Sequence, residues 1–230
     1  MKIHNAVVLV TGANRGLGLA FAREAVARGA KTVYAAVRHP EAMDEPGVVP
    51  VRLDVTDREE ALRLAQRLRD VTVLINNAGI LEVGSPLGGA DALRRQFETN
   101  VFGVLNVTEA FAASLSASRG AVLNVVSVGS WLANPAVGNY ATSKAAVWGL
   151  TNNLRAVLAP QGVLVAALHV GYIDTDMVRG YQAPKMEASA VARIALDGLE
   201  AGQSEVLADG LSAAVKESLS RPDAAYLKGL

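Results

Sequence analysis

Residues 7–18 read Val-Val-Leu-Val-Thr-Gly-Ala-Asn-Arg-Gly-Leu-Gly, and the fold class is predicted from this segment. Its first four residues are apolar and mostly β-branched, which predicts a short buried strand. The apolar pattern of Leu17–Arg28 predicts a helix directly after it. A glycine-rich turn between a strand and a helix brings backbone N–H groups and the positive end of the helix dipole to one point. Such a turn is typical of a site for the phosphates of a dinucleotide.

The three glycines of this turn have separate roles in that interpretation. Gly12 permits the tight turn, Gly16 lets the backbone approach a pyrophosphate, and Gly18 lets the helix pack closely on the strand. Glycine triplets also occur by chance and in ordinary turns, so their position between the first strand and the first helix is what favours nucleotide binding. Their spacing, Gly-x-x-x-Gly-x-Gly, differs from the Gly-x-Gly-x-x-Gly of the common dinucleotide fold.

Strand and helix patterns alternate along the rest of the 230 residues. The predicted strands are Val7–Val10, Thr32–Val37, Val48–Val51, Val71–Ile75, Ala121–Val126, Val163–Val170 and Glu205–Ala208. The predicted helices are Leu17–Arg28, Arg58–Leu68, Leu93–Ser114, Tyr140–Leu158, Met186–Glu200 and Leu211–Leu219. This order predicts an α/β fold, a single-domain, Rossmann-like, doubly wound parallel sheet in three layers. The domain spans residues 1–230, with a cofactor half at about 1–120 and a catalytic and substrate half at about 121–230.

Composition excludes several classes of function. Lys and Arg number 22, as do Asp and Glu, so the net charge does not indicate binding to nucleic acid or to an anionic membrane. The absence of cysteine excludes disulfides, thiolate metal sites and a cysteine nucleophile, and it is compatible with a reducing cytoplasm. The apolar run Ala6–Val10 is too short for a signal peptide. We therefore expect a soluble cytoplasmic protein without a metal site or a membrane span.

A candidate catalytic pair lies at the start of one predicted helix. Tyr140 and Lys144 are four residues apart, so they share one face of the helix. Such a pair is common in helices and has little weight alone. Ser127 adds weight, because it ends the apolar strand Ala121–Val126 at its carboxyl edge, where doubly wound sheets bind ligands. Ser130 is the nearest competitor, but it lies beyond the strand in the following loop.

Together these motifs resemble the short-chain dehydrogenase/reductase family. The matching segments, spread over roughly residues 6–176, are Thr11–Gly18 for the family's Thr-Gly-x-x-x-Gly-x-Gly, Leu53–Val55, Asn76–Gly79 for its Asn-Asn-Ala-Gly, Asn100, Ser127, and Tyr140–Lys144 for its Tyr-x-x-x-Lys. The four predicted catalytic residues, Asn100, Ser127, Tyr140 and Lys144, follow the family's order and spacing. The resemblance is therefore specific.

The resemblance implies hydride transfer between a nicotinamide cofactor and a carbonyl or alcohol substrate. In this scheme Tyr140 is the general acid toward a carbonyl oxygen, or the base toward an alcohol. A free tyrosine has a pKa near 10, which is too high for it to release its proton readily near neutral pH. Lys144 and the oxidised nicotinamide stabilise the phenolate, and Lys144 hydrogen-bonds the nicotinamide ribose. Ser127 holds and polarises the substrate oxygen, and Asn100 orders a water that connects Lys144 to solvent. The hydride chemistry itself belongs to the cofactor.

The resemblance also implies which residues hold the cofactor. They are Gly12, Asn14, Arg15, Gly16, Leu17, Gly18, Arg38, Asp54, Val55, Asn77, Ala78, Gly79, Tyr140, Lys144, Gly171, Ile173 and Thr175. Asp54 would bind the adenine with its side chain and Val55 with its backbone amide. The alternative for Asp54 is a turn acid that caps the next helix.

The end of the second predicted strand bears on the choice between NAD and NADP. It reads Ala-Val-Arg, without the carboxylate that NAD enzymes place there to bind the ribose hydroxyls. Arg38 instead offers a guanidinium group to a 2′-phosphate, and Arg15 in the glycine turn reaches the same group. The sequence therefore favours NADP(H) over NAD(H). The alternative is that both arginines are solvated surface residues.

The turn after the sixth predicted strand departs from the family, which has Pro-Gly there. Val170 replaces the proline, whereas Gly171 and Thr175 match, and Thr175 is expected near the nicotinamide carboxamide. The missing proline ring leaves the turn less constrained. The alternative for Thr175 and Asp176 is a simple helix cap.

A short segment separates this turn from the next helix. Only about ten residues lie between Thr175 and the helix that begins near Met186, and in the family this segment forms the substrate lid. A short lid suggests an open, permissive site. The candidate substrate residues are Ser127, Trp131, Leu132, Tyr172, Met177 and Tyr181, most of them apolar as a binding pocket requires. For each apolar residue the alternative is ordinary packing.

The surfaces of three predicted helices bear on assembly. Leu93–Ser114 and Tyr140–Leu158 correspond to the family's dimer surfaces, so a homodimer or homotetramer is expected. Leu211, Val215 and Leu219 share one face of the last helix, which either covers the edge of the sheet or docks on a partner subunit.

The function that the sequence favours is NADPH-dependent reduction of a ketone or aldehyde, reversible as alcohol oxidation. One alternative is a dinucleotide-binding sensor without catalysis, which would not need the complete catalytic set. Another is a sugar-nucleotide epimerase or dehydratase, for which the expected large C-terminal domain is missing.

Overall fold

The protein is built on one parallel sheet. A computed structural model describes the chain at residues 1–87 and 89–228. The strands are β1 Val7–Thr11, β2 Thr32–Val37, β3 Val49–Arg52, β4 Val73–Asn76, β5 Ala121–Val125, β6 Leu164–His169 and β7 Glu205–Leu207. They lie in the order β3-β2-β1-β4-β5-β6-β7, and every neighbouring pair is parallel.

Helices cover both faces of this sheet. They are α1 Gly16–Ala27, α2 Arg58–Arg67, α3 Ala90–Phe97, α4 Gly103–Ser118, α5 Gly138–Leu158, α6 Ala188–Glu200, α7 Gly210–Ser218 and α8 Ala225–Lys228. The core on one face joins α1 and α6 to the strands, and the core on the other joins α2, α4 and α5. The prediction of a doubly wound, three-layer α/β fold is confirmed.

The central strand shows why apolar residues run without interruption. Val8 and Val10 contribute to the core under α1 and α6, where Phe21 is fully buried. Leu9 contributes to the opposite core, where Phe111 is fully buried. Because successive side chains of a strand point to opposite faces, a strand covered on both faces must be apolar throughout.

The predicted ends of the elements agree with the structure within two residues, except at the third helix. There α3, a π-helical turn at Glu98–Phe102 and α4 form one helical stretch at residues 90–118. By length and composition alone this stretch could cross a membrane. Its apolar face, however, lies in the core of the sheet, where Phe111 and Leu115 are fully buried. The sequence pattern does not predict the short helix α8.

The centre of the sheet creates a crevice at the carboxyl ends of its strands. β1 pairs with both β2 and β4, so the chain leaves the centre in opposite directions in the two halves. The loops after β1 and β4 run in opposite directions from the place where the strand order reverses. Doubly wound sheets bind ligands at this place, which is called the switch point. The hydroxyl of Thr11 accepts hydrogen bonds from the N–H groups of Asn77 and Ala78, each over 3.0 Å, and thereby joins the two loops.

Candidate active site

A cavity of about 890 Å³ opens over this crevice. Among the predicted residues, its lining includes Gly12, Asn14, Arg15, Gly16, Leu17, Gly18, Arg38, Asp54, Val55, Asn77, Ala78, Gly79, Ser127, Leu132, Tyr140, Lys144, Gly171, Tyr172, Ile173, Thr175, Met177 and Tyr181. Two of the predicted residues, Asn100 and Trp131, lie outside it. The volume is in the range of small-molecule and cofactor sites.

The glycine turn fits a dinucleotide phosphate because it keeps side chains out of the cavity. Gly12 and Gly16 have φ angles of 65° and 55°, a left-handed backbone that favours glycine. A Cβ atom on Gly18 would lie 2.2 Å from the carbonyl oxygen of Gly12, so α1 begins in direct contact with the turn. Arg15 occupies the N-cap position of α1, but its side chain makes no capping hydrogen bond. The first N–H groups of α1 are therefore left for an anion.

Asn77 lines the cavity, yet its side-chain amide is used within the protein. Its Nδ2 donates to the carbonyl oxygens of Thr11 over 2.9 Å and of Gly12 over 3.2 Å. Asn77 thus fixes the glycine turn against the end of β4.

Asp54 lies in the cavity wall near Arg38. Burial alone would raise the pKa of its carboxyl group, but hydrogen bonds from Thr56 and the charge of Arg38 outweigh burial and lower the pKa. Its Oδ1 accepts from the backbone N–H of Thr56 over 2.9 Å and from the hydroxyl over 2.7 Å. Helix α2 is capped by Asp57, which accepts from the N–H of Glu60 over 2.9 Å. Asp54 is therefore a charged turn residue at the cavity and not the helix cap.

The two arginines predicted to bind a 2′-phosphate have different surroundings. Arg38 is exposed at the end of β2. Arg15 forms an ion pair with Asp176, with Nη1 and Oδ2 3.0 Å apart, and Asp176 also pairs with Arg179. Arg15 is thus not a freely solvated arginine, because it bridges the glycine turn and the segment after β6.

Tyr140 and Ser127 meet beside Gly129. A Cβ atom on Gly129 would lie 3.4 Å from Oγ of Ser127 and 4.0 Å from Cε1 of Tyr140. Burial raises the pKa of Tyr140 to about 12, and the Ser127 hydroxyl acts in the opposite direction. The phenolate stabilisation that the sequence predicts involves Lys144 together with the oxidised nicotinamide, and it stays a prediction. At neutral pH the phenol holds its proton, as a free tyrosine does, and the raised pKa makes it a weaker acid than a free tyrosine.

Lys144 lies one helical turn further along α5 and is 5% exposed. Its Nζ donates to the carbonyl oxygen of Val125, the last residue of β5, over 2.8 Å. It lies 5.7 Å from the centre of the Tyr140 ring. Burial lowers the pKa of Lys144 to about 8. An ammonium group has three donors, so it retains donors for a polar group in the cavity.

Asn100 lies behind the cavity and not in its wall. Its Nδ2 donates to the carbonyl oxygen of Ile80 over 3.0 Å and to Oγ of Ser143 over 2.9 Å. Its Oδ1 accepts from the N–H of Ile80 over 2.8 Å. Both amide hydrogens are therefore used by the protein, and the side chain joins the loop after β4 to α5, next to Lys144. The role predicted for Asn100, which is to order a water that connects Lys144 to solvent, stays a prediction.

Ser130 and Trp131 turn away from the cavity. The Ser130 hydroxyl donates to the carbonyl oxygen of Ser127 over 2.7 Å, which supports the choice of Ser127 as the residue facing the cavity. Trp131 is 6% exposed and stacks on His169, with ring centres 3.8 Å apart. The ring of Trp148 lies nearly perpendicular to the Trp131 ring, with ring centres 5.7 Å apart. The prediction that Trp131 lines the substrate pocket is therefore wrong, because the loop after β5 places the indole against β6.

The segment after β6 is held together at its base. The N–H of Asp174 donates to the carbonyl oxygen of Met186 over 2.8 Å, and the N–H of Met186 donates to that of Tyr172 over 2.9 Å. The rings of Tyr172 and Tyr181 lie 5.6 Å apart in the cavity wall, and Met177 is exposed beside them. These apolar groups surround the part of the cavity next to Gly171.

Thr175 contacts the glycine turn across the cavity. Its Cγ2 would lie 3.1 Å from a Cβ atom on Gly16. It takes the N-cap position of the short turn Asp176–Val178 without a side-chain capping bond. The alternative of a simple helix cap does not account for this residue.

Sequence reasoning missed the roles of two residues at the start of α7. Oδ2 of Asp209 accepts from the N–H of Gly171 over 2.6 Å, and Leu211 lines the cavity. An acid just before a helical pattern indicates an N-cap, and Asp209 does cap α7. Nothing in the local pattern, however, shows that the same acid reaches a turn 38 residues earlier.

Comparison with known proteins agrees with the fold. A profile of the family described as short chain dehydrogenase matches residues 6–185. The chain belongs to this family of oxidoreductases.

Individual relatives cover almost the whole chain. The 3-oxoacyl-(acyl-carrier-protein) reductase FabG of Vibrio cholerae is 29% identical over 240 residues, covering 100% of this chain and 95% of that protein. The 3-oxoacyl-(acyl-carrier-protein) reductase of Synechocystis is 31% identical, covering 97% and 92%. A solved structure of a short chain dehydrogenase from Burkholderia cenocepacia, in complex with NADP, is 38% identical with a TM-score of 0.92, covering 96% and 95%.

Proposed function

We propose that this protein reduces a ketone or aldehyde to an alcohol with NADPH, reversibly. The observation that carries the proposal is that Tyr140, Ser127 and Lys144 line the same cavity as the glycine turn. Carbonyl reduction needs a proton donor, a hydroxyl that binds the substrate oxygen and a dinucleotide-binding turn, all in one cavity. A sensor would require only the last of them.

The cofactor would be held by the glycine turn and by the loops after β2, β3 and β4. Gly12 and Gly16 leave room for the pyrophosphate, and Asp54 with Val55 borders the place for the adenine. When bound, the cofactor supplies the hydride.

Tyr140 delivers the proton to the substrate oxygen in this proposal. Its phenol is protonated at neutral pH, where its pKa of about 12 lies far above the pH, so it has a proton to give. Ser127 donates to the same substrate oxygen, which polarises the carbonyl group. The N–H of Gly129 donates to Oγ of Ser127 over 3.0 Å and fixes the hydroxyl in place.

Lys144 stabilises the negative charge that develops on Tyr140 as the proton leaves. Its ammonium group is anchored to the carbonyl oxygen of Val125. In a site with little water such a charge acts more strongly than it would in solution. Its remaining donors would bind the nicotinamide ribose. Asn100 supports it indirectly, by fixing Ser143 on the same helix.

A preference for NADP(H) rests on the charges at the end of β2. Arg38 borders the cavity, and β2 ends without a carboxylate to bind the ribose hydroxyls or repel a 2′-phosphate. The 38% identical short chain dehydrogenase from Burkholderia cenocepacia was solved in complex with NADP, which supports this choice.

The proposal extends to the setting of the enzyme. We infer one catalytic domain over residues 1–230 that works as a cytoplasmic homodimer or homotetramer, without nucleic acid or membrane partners. The two helices that would form the interface between copies, the helical stretch at 90–118 and α5, carry the exposed residues Phe102 and Val157.

Turnover with a panel of ketones, aldehydes and quinones, followed by the loss of NADPH absorbance, tests the proposal. Tyr140→Phe should keep its affinity for NADPH and lose about 10²–10⁴-fold in turnover, because it lacks the proton donor. Tyr226→Phe is the matched control, since Tyr226 is exposed on α8 and does not line the cavity. NADPH binding without turnover of any substrate by the unmodified protein would favour the sensor. A near-normal rate for Tyr140→Phe would refute the assigned mechanism.

A further inference from the structure

Helix α7 is tied at its start to the wall of the active-site cavity. Asp209, the residue before the helix, uses both carboxylate oxygens. Oδ1 accepts from the N–H of Ser212 over 2.7 Å and caps the helix, while Oδ2 accepts from the N–H of Gly171 over 2.6 Å. Because Gly171 lines the cavity, the first turn of α7 has a fixed position beside it.

The inner face of α7 is anchored as well. Val215 is buried in a cluster with Val128, Trp131 and Leu132, which belong to the loop that follows Ser127. Lys216 forms an ion pair with Glu205 of β7. Its Nζ also lies 5.0 Å from the centre of the Trp131 ring, a distance at which a cation is attracted to an aromatic face. The helix is therefore held along its length and not only at its cap.

These anchors place Leu211 in the cavity. Leu211 lines the cavity and is nevertheless 42% exposed, unlike the buried Val215 one turn later. Its Cδ2 would lie 3.5 Å from a Cβ atom on Gly171. The leucine thus adjoins the turn after β6, and an apolar group bound there would cover it.

The surroundings of Leu211 indicate the kind of group it would meet. Leu132, Tyr172, Met177 and Tyr181 line the same cavity and are apolar or aromatic. Most charged groups that border the cavity, such as Arg15, Arg38 and Asp54, lie in the glycine turn and the loops after β2 and β3. The exceptions are Lys144 on α5 and Asp176, and the charge of Asp176 is paired with Arg15 and Arg179. An apolar substituent suits the first group of residues better than a charged one.

We propose that Leu211 is a specificity-determining residue, which contacts the apolar substituent of the carbonyl substrate. This inference rests on the proposed function, since it concerns the substrate of the same site. Helix α7 then forms one wall of the substrate pocket. The substrate class is a ketone or aldehyde with an aliphatic or aromatic substituent that is long enough to extend past Gly171 and reach Leu211.

A homologous series of methyl ketones tests the proposal, from acetone to ketones with long alkyl chains. Leu211→Ala should lower kcat/KM by about ten-fold for ketones whose chain reaches the leucine, mainly through a higher KM. Its effect on kcat/KM for acetone, which is too short to reach the leucine, should be much smaller. Leu211→Met, which restores apolar bulk, should recover most of the loss. Leu227→Ala is the control, because Leu227 is exposed on α8 away from the cavity lining.

Each outcome bears on one of the two proposals. An equal loss in Leu211→Ala for acetone and for long ketones would overturn the role of Leu211, since it would show an effect on the fold or the cofactor. No loss for any ketone would overturn it too. If the unmodified protein turned over no carbonyl compound, the proposed function itself would fail, and the role of Leu211 with it.

Discussion

The guanidinium group of Arg15 and the carboxylate of Asp176 join the glycine turn to the segment after β6, with Nη1 and Oδ2 3.0 Å apart. Arg15 is also one of the two arginines expected to bind the 2′-phosphate of NADP(H). A phosphate and a carboxylate compete for the same guanidinium group. Binding of NADPH should therefore require Arg15 to exchange one anion for the other.

Asp176→Asn should strengthen NADPH binding because it removes the competitor. The pair is exposed, and exposed ion pairs contribute at most about 1 kcal/mol, so the Kd should fall by up to about five-fold. The Kd for NADH, which has no 2′-phosphate, should stay the same. Fluorescence titration of both cofactors measures the difference.

Arg179→Gln is the matched control for this exchange. Arg179 also pairs with Asp176, but it lies in the same segment and not in the glycine turn. Its loss should not strengthen NADPH binding. Equal strengthening of NADH and NADPH binding by Asp176→Asn would contradict the exchange and indicate a general effect of charge in the cavity.

Arg38→Asp should shift the preference from NADPH toward NADH. A lost charge-assisted hydrogen bond costs roughly 1.5–3 kcal/mol, so NADPH affinity should fall by about ten- to a hundred-fold. The new carboxylate can bind the ribose hydroxyls of NADH. Arg52→Asp is the control, because Arg52 pairs with Val37 of β2 in the sheet but does not line the cavity. Unchanged affinities of Arg38→Asp for both cofactors would show that Arg38 does not contact the phosphate.

Much of the site is predictable because it depends on local periodicity. Residues at the carboxyl ends of parallel strands meet at one edge, so the places of Gly12, Asn77 and Ser127 follow once the strands are recognised. Tyr140 and Lys144 share a face because an α-helix repeats every 3.6 residues. None of these placements depends on how distant segments pack.

The residues that escaped prediction depend on contacts between distant segments. Trp131 lies only four residues beyond Ser127, but its direction is set by stacking on His169 of β6. The hydrogen bonds from Asn100, which lies in a π-helical turn, to Ile80 and Ser143 join residues that are far apart in the sequence. The role of Asp209 depends on where α7 docks. Such contacts have no signature in the local sequence.

Lys144 should set the alkaline limit of the reduction. Burial lowers its pKa from 10.5 to about 8, whereas that of Tyr140 is about 12. As the pH rises above 8, Lys144 loses its charge while Tyr140 keeps its proton, so kcat/KM should fall with an apparent pKa near 8. Values of kcat/KM measured between pH 6 and 10 would show this fall, which is the alkaline limb of the pH profile.

The stability of the fold separates this effect from unfolding. The folded protein holds the Lys144 proton less tightly than the unfolded chain, so this group makes the folded state more stable as the pH rises from about 8 toward 10. Between about pH 8 and 10 the activity should thus fall, while the contribution of Lys144 to the stability of the folded state increases. Lys144→Arg keeps its charge and should lack the limb, whatever its absolute rate. The same limb in Lys144→Arg would assign it to another group.

His169 should make the fold sensitive to acid. It is fully buried against Trp131, and its Nδ1 lies 3.2 Å from the carbonyl oxygen of Ser127. Burial lowers its pKa from 6.5 to about 4, against smaller opposite effects of the Ser127 backbone and Glu205. Between these values the unfolded chain binds a proton that the folded protein does not. The stability from neutral His169 is complete above pH 6.5 and is lost as the pH falls through 4, with a total of about 3 kcal/mol.

Denaturant unfolding at several pH values between 7 and 4.5 measures this loss. His169→Asn and His169→Gln remove the titrating group, so both should lower stability at pH 7 and flatten its fall toward pH 4.5. Two variants are needed, because Asn and Gln place the amide at different distances from the Ser127 carbonyl. The exposed His39 provides the control, and His39→Asn should keep the slope of the unmodified protein. An unaltered slope in both His169 variants would show that acid acts through other groups, and that the imidazole under Ser127 is not the acid-sensitive element of the fold.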